Sequence, residues 1–251
     1  MKGIGSGKVI KSNKNDHVFV FFADHGAPGL IAFPNGELKA NQLHKAILSM
    51  NKLEKYGKMV FYIEACESGS MFDQLLPTNI NVFATTASNS HESSYACYYD
   101  DKRETYLGDV YSVNWMEDSD KQNLSEETLL KQYMIVKTKT NTSHVMKFGD
   151  QAMATMAVAE FQGTDHTKPI VLPHAPLDAV ESPDVQLAVL HRRLAATNDI
   201  KHMQSIIDQI KAVMQLRRDI DVTIKKIVGL VSNDEKHSAR LIGSRRPIRN
   251  L

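Results

Sequence analysis

Hydrophobic positions along the chain follow two kinds of pattern. His17 to Ala23 reads H-V-F-V-F-F-A, and Met59 to Ala65 reads M-V-F-Y-I-E-A. Short, nearly continuous apolar runs of this kind predict strands buried on both faces, as in a parallel sheet. A third strand is predicted over Ile80 to Thr85. Between the first two runs, Leu43, Ala46, Ile47, Met50 and Leu53 recur at helical spacing. That spacing predicts a helix from Asn41 to Leu53, closed by Gly57. Strand, helix and strand make a βαβ unit, so the fold class is α/β, a parallel-sheet core with flanking helices. Asp24 to Gly29 and Cys66 to Ser70 are predicted as loops at the strand exits. Ser125 is placed to cap a helix with Glu126 and Glu127 in its first turn, running to about Lys139.

The second half changes character. Pro169, Pro173, Pro176 and Pro183 fall between 164 and 185 without periodicity, which predicts a linker. From Ile200 through Ile207, Val213, Ile220 and Ile227 to Val231, apolar residues return every three or four positions. They predict an amphipathic helix or helix pair over 186–236, interrupted by a loop at Ala195 to Asp199. The end, 237–251, is basic, lacks periodicity and is predicted to be disordered.

Composition narrows the class. The chain has 251 residues, 42% hydrophobic and 24% charged, as in an ordinary soluble globular protein. No apolar run is long enough to span a membrane, and Met1 to Asn15 show no apolar core of a secretory signal. Two cysteines, Cys66 and Cys97, exclude a disulfide scaffold and a four-cysteine zinc site. The net charge of +1 conceals an asymmetry. Residues 1–185 carry 17 Lys and Arg against 23 Asp and Glu, a net of −6; residues 186–251 carry 13 against 6, a net of +7. The basic segment could bind an external polyanion or fold back on the acidic body.

Ligands of open parallel sheets sit beyond the carboxyl ends of the strands. His25 lies just past the first strand and Cys66 just past the second, so neighbouring strands would bring them to one crevice. A thiol needs a base or a nearby imidazolium to become a thiolate, which makes a Cys-His pair a minimal nucleophilic device. Gly26 lets a carbonyl approach the backbone, and its N–H could form an oxyanion hole with that of Cys66. The alternative is a buried structural cysteine and an unrelated loop histidine. Glu64, two residues before Cys66, shares its face of the strand. A carboxylate in so apolar a run needs a partner: either a structural ion pair or a role in a polar pocket beside the nucleophile.

F-F-A-D-H-G at 21–26 and Y-I-E-A-C-E-S-G-S-M at 62–71 resemble the legumains, or asparaginyl endopeptidases, cysteine proteases of the caspase-like clan. A-T-T-A-S-N at 84–89, E-S-S-Y-A-C-Y-Y-D at 92–100 and Y-L-G-D-V-Y-S-V-N-W-M-E-D-S-D at 106–120 extend the resemblance. It runs from about Met1 to Gly163 and more loosely to about Ser232. It implies a caspase-like peptidase domain over 1–163, with Cys66 as nucleophile, His25 as its partner, and the Gly26 and Cys66 N–H groups as oxyanion hole. Glu64, Ser93 and Asp109 would line the S1 pocket. Such a pocket suits the carboxamide of asparagine, which offers two donors and an acceptor, and rejects apolar side chains. The resemblance further implies cleavage after Asp at acid pH, and peptide ligation through the same thioester. The C-terminal segment would be the chain's own pro-segment, cut at Asn198 and released as acid protonates the body carboxylates. Cystatin-type inhibitors, a lysosomal, vacuolar or secreted location and the absence of any cofactor are implied likewise.

The resemblance also implies an N-terminal segment ahead of Met1. It would carry a signal peptide, the first two strands, an asparagine orienting the histidine and a basic pocket residue. It implies a disulfide-bearing module after about Asn233. Without them, the strand at 17–23 is expected to expose an apolar edge and the chain to be weakly active or inactive. Its rival role is a binding or decoy module. Asn141 and Asn123 head N-glycosylation triplets, the first better placed because it follows a predicted helix end. Cys97 reads as a packed thiol. His166 and His174 lack further ligands for a metal, and Arg245, Arg246 and Arg249 lack the stacking residues of a nucleic-acid site.

Overall fold

The computed structural model describes residues 7–163 and 177–231. Its central sheet is built from β1 (His17–Ala23), β5 (Lys58–Glu64), β6 (Val82–Thr86) and β9 (Met146–Gly149), in that order. The first three run parallel and β9 antiparallel. The predicted strands and the α/β class are thus observed, with β9 added. Met59 to Glu64 and Val82 to Thr86 are buried throughout, as continuous apolar runs require. β1 departs from that expectation. Among the described residues it pairs within the sheet only with β5, so it forms an edge, and Phe21 is 37% exposed.

Strand alternation sends Met59, Phe61 and Ile63 to one face and Val60 and Tyr62 to the other. The first face is covered by α1 (Ala40–Lys52), through Ile47, and by Phe72. The second meets α2 (Val110–Lys121) and α3 (Leu129–Lys139), through Tyr111, Trp115, Leu129 and Tyr133. The sheet is therefore sandwiched between helices, and its carboxyl edge is left for the loops after β1 and β5.

Three expectations are corrected. The loop over Asp24 to Gly29 contains β2 (Gly26–Ala27), which pairs with β3 (Leu30–Phe33), itself paired with β4 (Gly36–Lys39). α3 begins after Thr128, whose hydroxyl accepts the Lys131 N–H, and not at Ser125. Residues 124–129 instead pair with 156–159, through Val158 N–H to Glu127 O and Ala159 N–H to Leu124 O. Part of the expected linker is ordered: β10 (Val180–Glu181) pairs with β7 (Tyr95–Asp100), which pairs with β8 (Thr105–Asp109). The prolines at 169, 173 and 176, and His166 and His174, lie outside the described residues, as does the basic tail at 237–251. A short helix, α4 (Ala159–Gln162), closes the first half.

The chain divides into two compact units. The first holds the elements up to Asp100 and from Tyr106 to Ser182. The second comprises Asp101–Thr105 and the chain from Pro183 on. There α5 (Val185–Ala196) packs against α6 (Ile200–Val231), burying Leu187, Leu190 and Ile206. Arg217 donates to Asp184 at 2.7 Å across this pair. The helix pair follows the predicted periodicity, and Asn198 stands exposed in its three-residue link, Thr197 to Asp199.

Candidate active site

The sheet register assembles the site. Ala23 lies beside Glu64, so the chains leave β1 and β5 at one level, and the Asp24 N–H still reaches the Glu64 carbonyl at 3.2 Å. His25 and Cys66 are each two residues further on. His25 is exposed; its backbone N–H is held by its neighbour Asp24 (2.7 Å to Oδ1), and its carbonyl accepts the Ala32 N–H. Next, Gly26 packs on the nucleophile's own backbone. A Cβ at Gly26 would stand 2.3 Å from the Cys66 carbonyl oxygen and 2.9 Å from the Ala65 Cβ, so only glycine fits. That contact fastens the histidine loop to the cysteine.

Cys66 is buried, and its Sγ lies 3.8 Å from the Ser94 hydroxyl. The turn after it is held in an uncommon shape. Glu67 takes a left-handed φ of 50°, and its N–H donates to the Glu92 carbonyl at 2.7 Å. Ser88 joins the turn to the loop after β6: its hydroxyl donates to the Ala65 carbonyl at 3.0 Å and accepts the Ser68 N–H at 3.1 Å. Backbone strain in a non-glycine residue persists only where neighbours over-determine it, and it concentrates at functional sites.

Two carboxyls, Glu64 and Asp109, lie close to each other, and Asp109 is also close to His25. Glu64 is 1% exposed; its Oε2 accepts both the Ser112 N–H (2.8 Å) and the Ser112 hydroxyl (3.0 Å), while Oε1 is buried without a hydrogen-bond partner. Burial first, and then the charge of Asp109, push its pKa well above the ordinary carboxyl range; the two Ser112 bonds oppose that rise. Asp109 caps the start of α2 by position only, since its side chain makes no capping bond. Burial raises it to about 6, with His25 pulling it down and Asp24 pushing it up. His25, Asp24, Asp109 and Glu64 therefore share one electrostatic neighbourhood.

Ser93 is buried in the strand entry beside Ser94. Asp24, Ser94 and Ser112 join the site in the fold and are not marked as site residues by the sequence. Asp24 stood next to the histidine, but nothing in a one-dimensional pattern signals that Ser94 faces Cys66 or that Ser112 holds Glu64. Cys97 is fully buried, and burial followed by the charges of Asp109, Glu64, Asp178 and Glu117 pushes its thiol up to about 12, which leaves it inert. Asn141 and Asn123 are both exposed. Among the described residues, no group of three or more His, Cys, Asp or Glu side chains could hold a metal ion, and no helix is long and apolar enough to cross a membrane.

A family model of the peptidase C13 family matches residues 1–164, nearly two-thirds of the chain and all of the site just described. The chain belongs to the peptidase C13 family. Legumain of Homo sapiens is 51% identical over 251 residues, covering 99% of this chain and 58% of the relative. Hemoglobinase of Schistosoma mansoni is 44% identical over 237 residues, covering 91% of this chain and 54% of the relative. The vacuolar-processing enzyme delta-isozyme of Arabidopsis thaliana is 40% identical over 210 residues, covering 76% and 45%. The chain thus spans about half the length of the curated relatives it matches.

Proposed function

We propose that this C13 chain is a cysteine endopeptidase that cleaves peptide bonds after asparagine, and after aspartate at acid pH. The observation that carries the reading is the seating of Gly26 on the Cys66 backbone, which supports a shared task for His25 and Cys66. Cys66 Sγ attacks the scissile carbonyl, and the oxyanion draws on the N–H groups of Gly26 and Cys66. His25 delivers its proton to the leaving amine, and a thioester forms. Water then attacks the thioester, giving up a proton to His25 as the thiolate departs. An incoming peptide amine in place of water would give ligation.

Glu64 and Asp109, with Ser93, serve as the pocket for the residue before the cut. The unpartnered Oε1 of Glu64 supports this assignment, because it offers an acceptor to an asparagine NH₂. Acid pH protonates these carboxyls and admits an aspartate side chain. The names of the relatives, legumain and vacuolar-processing enzyme, favour a lysosomal or vacuolar setting. The C-terminal segment acts as the chain's own pro-segment, with Asn198 as the cleavage point, and the net of +7 over 186–251 against −6 over 1–185 supports electrostatic retention. Asn141 and Asn123 are offered as glycosylation sites, and cystatin-type proteins as inhibitors.

The rival reading, a binding module without turnover, is favoured by the edge position of β1 and the exposure of Phe21. Hydrolysis of an Ala-Ala-Asn reporter at acid pH separates the two. The proposal expects turnover that disappears in Cys66→Ala and falls at least 100-fold in His25→Ala. Saturable binding without turnover or covalent labelling of Cys66 by an asparagine-mimicking electrophile would establish the module instead.

A further inference from the structure

The start of α2 is capped from outside the helix. Asp109 occupies the N-cap position yet leaves the first-turn N–H groups alone. The acceptor for the third of them, that of Ser112, is Glu64 Oε2, supplied by the neighbouring strand. The Ser112 hydroxyl donates to the same oxygen. Both donors therefore converge on Oε2, and Oε1 is buried with none. A carboxyl held in this way is asymmetric. A proton it takes up is favoured on Oε1, because the fixed backbone N–H at Oε2 wants an acceptor and the hydroxyl adds a second donor there. Ionised, Glu64 presents an acceptor at Oε1; protonated, it presents a donor at the same point.

We propose that Ser112 is a positioning residue that fixes which oxygen of Glu64 meets the substrate side chain, and so sets the pH at which the pocket changes preference from Asn to Asp. The inference rests on the pocket assignment above. The ionisable groups facing Glu64 are Asp109 from the start of α2, Cys97 from β7 and Tyr111 from α2, with His25 and Asp24 acting through Asp109. Of these, Asp109 disfavours its charge. The Ser112 bonds are the opposing contribution, and the hydroxyl supplies one of the two. Removing it should let Glu64 hold its proton to higher pH, with the backbone N–H of residue 112 left as the one donor at Oε2.

The test uses the full chain and has two readouts. In a carboxyl-carbon NMR titration, with the Glu64 signal assigned by its absence in Glu64→Gln, Ser112→Ala should move the Glu64 midpoint up by about one pH unit. Ser112→Thr should restore it. In parallel, the ratio of kcat/KM for Ala-Ala-Asp and Ala-Ala-Asn reporters should rise at higher pH in Ser112→Ala, with the loss on Asn mostly in KM. In Glu64→Gln the carbonyl oxygen would face Ser112 and the NH₂ would replace Oε1. That variant should favour Asp over Asn at every pH. An unmoved Glu64 midpoint in Ser112→Ala would overturn the inference, as would an Asn preference in Glu64→Gln. A chain that cleaves neither reporter would refute the asparaginyl reading while the titration still decides the role of Ser112. Should Ser112→Ala not fold, a Ser112→Thr midpoint displaced as far as that of Ser112→Gly would equally refute it.

Discussion

At the scale of single residues, the site depends most on an atom that is missing. The 2.3 Å that would separate a Gly26 Cβ from the Cys66 carbonyl oxygen is a backbone contact, so no side-chain rotation can relieve it. Gly26→Ala must push the His25 loop away from β5. A displacement of this size at reacting groups costs on the order of 100-fold in rate. Gly36→Ala is the matching control, because nothing stands within 4 Å of its Cβ position. We expect Gly26→Ala to lose reporter turnover and labelling of Cys66 by the electrophilic probe, with a lower Tm, and Gly36→Ala to keep both. Equal labelling of the two variants would show that the contact is not needed to hold the pair.

At the scale of elements, α3 illustrates how the start of a helix is decided. Thr128 and Ser125 are both hydroxyl residues ahead of an apolar run, and local pattern cannot rank them. Tertiary pairing does: 124–129 bond to 156–159, which keeps Ser125 out of the helix and presents Thr128 to the Lys131 N–H at 3.2 Å. Thr128→Ala should cost about 1 kcal/mol, or about 2–4 °C in Tm, and Ser125→Ala should stay within about 0.5 kcal/mol. Thermal melts of the two variants check this, and the reverse ranking would place the cap at Ser125. The same contrast explains what the sequence revealed. β1, α1, β5 and the positions of His25 and Cys66 were legible because each is a strongly patterned apolar segment followed by its loop. α2 was not, because its buried side includes Ser112, Asn114 and Asp118, polar residues that blur a helical stripe. β10 is a two-residue strand whose partner, β7, lies far along the chain. Glu64 was legible as a costly buried charge, whereas its partner Ser112 depended on how α2 is placed.

At the scale of the whole molecule, the buried carboxyls tie stability to acidity. Glu127 is 1% exposed and lies within hydrogen-bonding reach of the Asp118 carboxyl, which is also 1% exposed. Burial, then the charge and hydrogen bond of Asp118, raise Glu127 to about 7 against the opposing pull of Lys131 and Lys139. Asp109 is raised to about 6, and Glu64 also stands well above the ordinary range. In the unfolded chain these groups give up their protons near pH 4. Between about pH 5 and 7 the native state therefore binds more protons than the unfolded state, and raising the pH must weaken the fold. Glu92 and Glu117 act in the opposite sense. Burial raises them, but hydrogen bonds from Asn89 and His144 to Glu92, and from Tyr98 and Lys121 to Glu117, hold both below the ordinary range. Their contribution is lost as the pH falls below the ordinary carboxyl range. Stability should therefore peak near pH 5 and decline by on the order of 2 kcal/mol towards pH 7.5, roughly 4–8 °C in Tm. Glu127→Gln keeps a donor for Asp118 and removes the titrating proton. It should raise Tm at pH 7.5, leave it nearly unchanged at pH 5 and flatten the slope between them. A Tm that holds steady or rises from pH 5 to 7.5 would contradict this account, and an undiminished slope in Glu127→Gln would remove the Asp118–Glu127 pair as its main source.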